Sequence, residues 1–188
     1  FWNRICCSQV VFNFDNKYVN TKGVSDRVRR ASIDYYIRQL QPGGDWAEYH
    51  NIVLSVRSLD EALRYWNSGI RQVMFCVEIS SRADFEAYDA SPIPWRYIMA
   101  YIRTAVDPRL QEVYDLLHAR GVMTMTSIVE TSDKVKNARD RNTAYLRELL
   151  AEPDIIETDY PSEFVELPRS RREIHALQDC ALRSRSRK

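Results

Sequence analysis

Charged and hydroxyl side chains occupy the ends of several apolar, strand-like segments of this sequence. Asp15 and Lys17 end the first segment, Glu78 and Tyr101 end two later ones, and Asp159 follows the last. The same position on two further segments is taken by Ser55, Arg57, Thr126 and Ser127. Carboxylates bind hard divalent cations, and cations bind anionic substrates. The pattern therefore predicts a site for an anion together with Mg²⁺ or Ca²⁺.

Asp15 and Lys17 are the most informative pair of this set. Residues two apart on a strand point to the same face, so the carboxylate and the ammonium group would lie side by side. We predict that Asp15 is a ligand of the divalent cation and that Lys17 contacts a phosphoryl oxygen of the substrate. A local ion pair at the end of the strand is the alternative.

Glu78, Tyr101 and Asp159 are predicted as further substrate contacts. Two of these residues could instead have a purely structural role, and none of the three identifies a site by itself. Glu78 lies between apolar neighbours and could be the partner of a buried ion pair, while Asp159 could cap the helix predicted over 162–167. The ends of strands are also polar for reasons of solubility, so these assignments depend on the residues converging.

The histidines and cysteines do not form a catalytic set. His50, His118 and His175 are far apart in the sequence, and no Ser/His/Asp or Cys/His arrangement accompanies them. The four cysteines lack metal-binding spacing, and Cys76 lies in an apolar strand as a buried thiol would. The sequence thus offers no evident general acid or base.

A strand–helix rhythm repeated six times must position these residues. Strands are predicted over 10–15, 51–56, 72–79, 97–102, 122–128 and 154–158. Helices are predicted over 24–40, 58–69 and 107–121 and through 145–150. Weaker helical patterns cover 80–90 and 162–167, and a long loop is predicted over 130–141. Short connections of this kind imply parallel strands with right-handed crossovers. A doubly wound open sheet is the alternative, but no Gly-rich phosphate turn follows the first strand.

The predicted fold is therefore an α/β barrel of the (β/α)₈ TIM type that is incomplete in this chain. Its 188 residues are fewer than the roughly 250 of a complete barrel, and the rhythm begins almost at residue 1. We expect about six units, with the first two missing, over 1–168 and a basic tail over 169–188. Such a fragment would have two open sheet edges, so we expect it to fold poorly alone or to borrow the missing strands.

The overall charge argues against two classes of partner. A formal net charge of +1 does not favour nucleic acid, and the sequence has no apolar run of about 18 residues that would span a membrane. The predicted partner is a small anionic molecule.

Two segments resemble the glycerophosphodiester phosphodiesterase family, within the phosphatidylinositol phospholipase C-like barrels. Residues 12–17 look like the family's third strand with its acid-x-Lys pair, where Asp15 replaces the usual metal-binding glutamate. Residues 154–161 look like its last strand, which ends in Thr-Asp-x-Pro. The resemblance covers about residues 8–167. It implies a reaction in which a divalent cation polarises the phosphoryl group while two histidines act as acid and base.

The chain departs from the family in its catalytic motifs. The family's His-Arg-Gly motif, its Glu-x-Asp metal pair and its second histidine are not found in this sequence, and we expect both histidines upstream of it. The resemblance implies that the intact parent hydrolyses glycerophosphodiesters in lipid metabolism, and that this chain alone is inactive. A degenerate, non-catalytic barrel that binds or supports is the alternative. An unrelated sugar-phosphate barrel would need a Gly-rich loop near the last two strands, where none of the five glycines lies.

Overall fold

The computed structural model describes residues 12–16, 22–49, 51–102 and 107–164. Several sequence-based predictions fall on other parts of the chain. Lys17, His50, His175 and the predicted basic tail over 169–188 lie outside the described residues.

Six parallel strands form one sheet in which each strand pairs with the next one along the chain. The strands are β1 (Phe12–Asp15), β2 (Ile52–Val56), β3 (Val73–Glu78), β4 (Ile98–Ile102), β5 (Met123–Ser127) and β6 (Ile155–Glu157). The sheet curls into a half-barrel, consistent with the predicted incomplete TIM-type barrel. A doubly wound sheet would reverse its strand order part-way, and the described strands do not. That two units precede β1 stays a prediction.

Five α-helices of the described residues connect these strands. They are α1 (Asp26–Leu40), α2 (Leu59–Asn67), α3 (Arg82–Asp89), α4 (Gln111–Ala119) and α5 (Ala138–Leu149). Short 3₁₀ turns cover Trp95–Tyr97, Pro108–Leu110, Ser132–Lys134 and Pro161–Phe164. No helix in the described part of the chain is both long enough and apolar enough to cross a bilayer.

Side-chain caps explain where several helices begin. The hydroxyls of Ser58 and Ser81 accept hydrogen bonds from the first turns of α2 and α3. Asn137 likewise accepts from the amides of Arg139 and Asp140, so α5 begins inside the segment that was predicted as a long loop. That prediction was wrong because the charged side chains of this segment lie on an exposed helix face, with a local cap to start it.

The predicted start of α4 also needs a correction. Asp107 does cap, but what it caps is a 3₁₀ turn: its Oδ1 accepts from the amide of Arg109 at 3.0 Å. The α-helix itself begins four residues later, at Gln111. The predicted cap at Asp107 is confirmed, but the sequence pattern did not distinguish the 3₁₀ turn from the α-helix that follows it.

Side-chain alternation along the strands creates two apolar layers. Leu54, Phe75, Val77 and Ala100 point outwards and pack under helix residues such as Leu117. The other face of the sheet carries a smaller cluster of Val53, Cys76, Met99 and Met125. The second layer lies inside the half-barrel and forms the floor of the site described below. Among the described residues, β1 and β6 each have a strand partner on one side only.

Replacement of Phe75 should test the outer layer. Phe75 is fully buried, with its ring centroid 6.1 Å from that of Tyr65. Phe75→Ala should lower the free energy of unfolding by about 3–5 kcal/mol, because a large cavity is left between sheet and helices. Val28→Ala, at a side chain 43% exposed on α1, is the control and should change it by less than about 0.5 kcal/mol. Urea denaturation followed by circular dichroism measures both; equal midpoints for the two variants would contradict this packing.

Candidate functional site

A cavity of about 470 Å³ opens at the carboxyl ends of the strands, inside the half-barrel. Its lining comprises Asp15, Ser55, Val56, Arg57, Cys76, Glu78, Tyr101, Met125 and Glu157. These residues come from β1 to β6 or the position just after a strand, so one cavity collects side chains from all six strands. This is the end of a parallel barrel at which active sites are found.

The strand register brings the polar residues together. Asp15 pairs in register with Ser55, and Glu78 pairs with Tyr101. Arg57 and Glu78 each lie two residues beyond an inward-facing neighbour, Ser55 and Cys76 respectively, so they continue the same face. Adjacent inward-facing side chains on parallel strands therefore form the wall of the cavity, with Met125 and Cys76 at its apolar base.

The predicted site residues divide into three groups. Asp15, Glu78 and Tyr101 all line the cavity. Lys17 lies outside the described residues, so its predicted contact with a phosphoryl oxygen stays a prediction. Asp159 is exposed and is not among the residues that line the cavity. Its predicted contact with substrate also stays a prediction.

Glu157 takes the place in the cavity that the sequence suggested for Asp159. The strand ends at Glu157, and the amide of Asp159 donates a hydrogen bond to Asp133. Alternation would put Ile155, Glu157 and Asp159 on one face of an extended chain, so the sequence did not show that the strand ends at Glu157. Cys76 and Met125 were missed for another reason, because an apolar strand interior gave no reason to place them beside polar groups.

Asp133 binds the two residues that follow β6, Thr158 and Asp159. This buried carboxylate accepts hydrogen bonds from the Tyr145 hydroxyl at 2.6 Å, from the Thr158 hydroxyl at 2.9 Å and from the amide of Asp159 at 2.7 Å. Burial and the hydrogen bond to Asp133 both raise the pKa of Tyr145, so the phenol remains a donor. Asp133 therefore fixes the end of β6 and, through it, Glu157.

Burial keeps two groups of the cavity neutral. Burial raises the pKa of Tyr101, and the charges of Glu157 and Glu78 add to that effect, while a hydrogen bond with Ser127 opposes it. Burial and the charge of Glu157 raise the pKa of the Cys76 thiol to about 12. Tyr101 is thus a hydroxyl donor, and Cys76 is a weakly polar thiol rather than a nucleophile.

The charges of the lining favour a cation over a bare anion. Three carboxylates, those of Asp15, Glu78 and Glu157, face the cavity together with one guanidinium, that of Arg57. In the described part of the chain, no three His, Cys, Asp or Glu side chains are grouped so as to hold one ion. These carboxylates are the groups of the described lining that could hold a hydrated divalent cation, with water supplying most of its ligands.

His118 is the one histidine in the described part of the chain, and it is remote from the cavity lining. It lies near the end of α4, on the outer helical layer, with its ring centroid 5.8 Å from that of Tyr114. A general acid or base of the histidine type is not among the residues that line the cavity.

Comparison with known proteins gives one solved structure of clear similarity. No family model matches the chain, and no curated protein matches it. A glycerophosphoryl diester phosphodiesterase from Parabacteroides distasonis ATCC 8503 is 28% identical, with a TM-score of 0.63. The match covers 89% of this chain and 51% of that one, so the chain spans about half the length of its structural relative. The likeness supports the fold relationship that the two sequence segments indicated.

Replacement of Asp133 should test how the end of β6 is held. Asp133→Ala leaves the Tyr145 hydroxyl, the Thr158 hydroxyl and the Asp159 amide without their acceptor. We expect it to lower the free energy of unfolding by about 3 kcal/mol or more, since each unsatisfied buried group costs about 1–3 kcal/mol. Asp159→Ala removes a nearby exposed carboxylate and should cost less than about 0.5 kcal/mol. Chemical denaturation compares the two, and a similar loss for both would refute the role of Asp133.

The raised pKa of Cys76 predicts slow alkylation. At pH 8 the thiolate fraction at a pKa of about 12 is roughly a thousandfold below that of an ordinary cysteine, and burial slows the reagent further. Iodoacetamide labelling followed by peptide mapping should leave Cys76 unmodified in the folded protein and label it fully in urea. Rapid labelling of Cys76 without denaturant would show that the thiol is activated or exposed.

Proposed function

We propose that this chain forms part of a phosphoric diester hydrolase that acts on glycerophosphodiesters, with the phosphodiester bound in the cavity at the carboxyl ends of the strands. The observation that carries the proposal is the likeness to a glycerophosphoryl diester phosphodiesterase over 89% of the chain. The position of the cavity supports it, because active sites of parallel barrels lie at the carboxyl ends of the strands.

The chemistry of the lining suits a glycerophosphodiester. Arg57 can donate to the phosphoryl oxygens, and Tyr101, two strands away on β4, supplies a neutral hydroxyl donor to the same cavity. The carboxylate of Glu78 can accept hydrogen bonds from glycerol hydroxyls. Met125 and Cys76 offer an apolar base for the carbon atoms of the ligand. We propose Glu78 and Tyr101, with Lys17 and Asp159 as predicted from the sequence, as the substrate-binding set.

We propose Asp15 as the protein ligand of a hydrated Mg²⁺ or Ca²⁺. A carboxylate at the end of β1, facing a cavity rich in acids, suits such an ion. A bound divalent cation would offset the negative charge of the cavity and polarise the phosphoryl group. Among the described lining residues, one guanidinium, that of Arg57, accompanies three carboxylates, so we expect anion binding to depend on the cation.

We further propose that this chain on its own binds glycerophosphodiesters without turning them over. Hydrolysis of the diester needs proton transfer to the leaving alcohol and from the attacking water. No histidine is among the cavity-lining residues of the described chain, which also favours the alternative of a non-catalytic binding barrel. Turnover separates the two: the parent would hydrolyse the diester if acid and base come from elsewhere, and a degenerate barrel would not.

Cation-dependent binding should test this proposal. Glycerophosphodiesters with choline, ethanolamine or glycerol on the second ester are titrated by calorimetry with Mg²⁺, with Ca²⁺ and with EDTA. We expect binding of at least one ligand that EDTA abolishes. Asp15→Asn should remove the dependence on the cation, and Tyr101→Phe should weaken binding about fivefold through the loss of one hydrogen bond.

Matched controls lie outside the cavity. Asp45→Asn and Tyr35→Phe change exposed residues of the same types and should leave binding unaltered. Binding that ignores both EDTA and Asp15→Asn would overturn the assigned cation site. Release of glycerol phosphate by this chain, lost in Asp15→Asn, would overturn the prediction that it is inactive alone.

A further inference from the structure

A second cavity, of about 460 Å³, lies beside the first and is lined mainly by arginines. It opens between the N-terminal turns of α1 and α2, and Arg29, Arg30, Arg57 and Arg64 face it. Arg57 lines both cavities, so the two are neighbours across a single side chain. The first cavity is rich in acids, and the second carries more guanidinium than carboxylate groups.

Arg29 contributes a donor that has no acceptor within the protein. Its Nε is buried and makes no hydrogen bond, while 27% of its side chain is exposed and its Nη1 lies 3.8 Å from Oδ1 of Asp26. A buried guanidinium N–H without an acceptor is costly unless a ligand or water supplies one. Arg64, by contrast, is already committed, since its Nη2 is 2.6 Å from Asp34.

The backbone of Arg57 is fixed at the start of α2. Its amide donates to Oε2 of Glu61 at 3.1 Å, and the amide of Glu61 donates to the hydroxyl of Ser58 at 3.2 Å. The side chain of Arg57 thus leaves from a defined point at the positive end of the helix. This anchoring allows one guanidinium to serve both cavities without a change in the backbone.

Three carboxylates also line the second cavity and offset part of its charge. Asp26 and Asp60 are exposed, so water and salt screen them. Glu61 is buried, and burial raises its pKa while the amide and charge of Arg57 lower it. The cavity also has four guanidinium groups. Arg29 retains an unused donor, and Oε1 of Glu61 is a buried acceptor without a partner.

We propose that the second cavity binds a phosphate monoester group through Arg29, Arg30 and Arg57. Guanidinium groups match the geometry of phosphate oxygens, and a dianion uses several of them at once. We place this group on the same ligand whose diester occupies the first cavity, a step that rests on the proposed function. The ligand class is then a glycerophosphodiester that carries an additional phosphate on its second alcohol.

Titration with inorganic phosphate, followed by NMR of the arginine side chains, tests the subsite directly. We expect the Nε–H signal of Arg29 to shift in a saturable way. Arg82 and Arg109 are matched controls, because their Nε groups already donate to Glu112 and Asp107, and their signals should not move. A uniform, non-saturating response of all arginines would reflect screening by salt and would overturn the proposal.

Two variants separate recognition from folding. Arg29→Lys keeps the positive charge and removes the Nε donor, so it should weaken phosphate binding about tenfold. Arg30→Gln changes an exposed side chain and should weaken it by about threefold. Unchanged thermal midpoints show that both variants fold. Unchanged phosphate affinity in both variants would overturn the assignment.

A linked ligand tests whether the two cavities act together. A glycerophosphodiester with a terminal phosphate should bind about tenfold or more tightly than the same diester without it, and Arg29→Lys should abolish that difference. Equal affinity of the two ligands would refute the shared ligand. Saturable phosphate binding at Arg29 without any diester binding would leave the second site intact and count against the proposed function instead.

Discussion

The directional pairing of parallel strands is the constraint on which this structure depends. Each strand pairs with its successor, so all six begin at one end of the half-barrel and finish at the other. Side chains alternate across the sheet, which sends one set under the helices and the other into the interior. On the interior face, the side chains change from apolar to polar towards the carboxyl ends of the strands, as from Val53 to Ser55 and from Cys76 to Glu78. The cavity is a consequence of this arrangement.

The described lining of the cavity contains more carboxylates than cationic groups. Asp15, Glu78 and Glu157 occupy three strand ends, and their mutual repulsion must be offset for any anion to enter. Arg57 is the one guanidinium among the lining residues of the described chain, and it also faces the second cavity. We propose that a divalent cation supplies the remaining positive charge. In this scheme Arg57 joins an acidic cavity to a basic one.

Buried carboxylates away from the cavity hold the strand ends in place. Asp133 accepts from a buried tyrosine, a threonine and a backbone amide, and so fixes the chain where β6 ends. Glu61 fixes the chain after β2 in a similar way, because it accepts a hydrogen bond from the amide of Arg57. Asp133 is satisfied by these three donors, whereas Glu61 has a donor on Oε2 and a buried Oε1 without a partner.

The sequence by itself determined the number and order of the strands, most of the helices and the positions of Asp15, Glu78 and Tyr101 at strand ends. It could do so because apolar runs, caps and side-chain alternation are local properties, written within a few residues of each element. Only the tertiary structure decided that Glu157 rather than Asp159 faces the cavity, since that depends on a hydrogen bond from Asp159 to Asp133, 26 residues earlier in the chain. The same holds for the arginine-lined cavity. Arg29 and Arg57 lie on different elements, and no local pattern records that the folding of α1 and α2 against the sheet brings their side chains together.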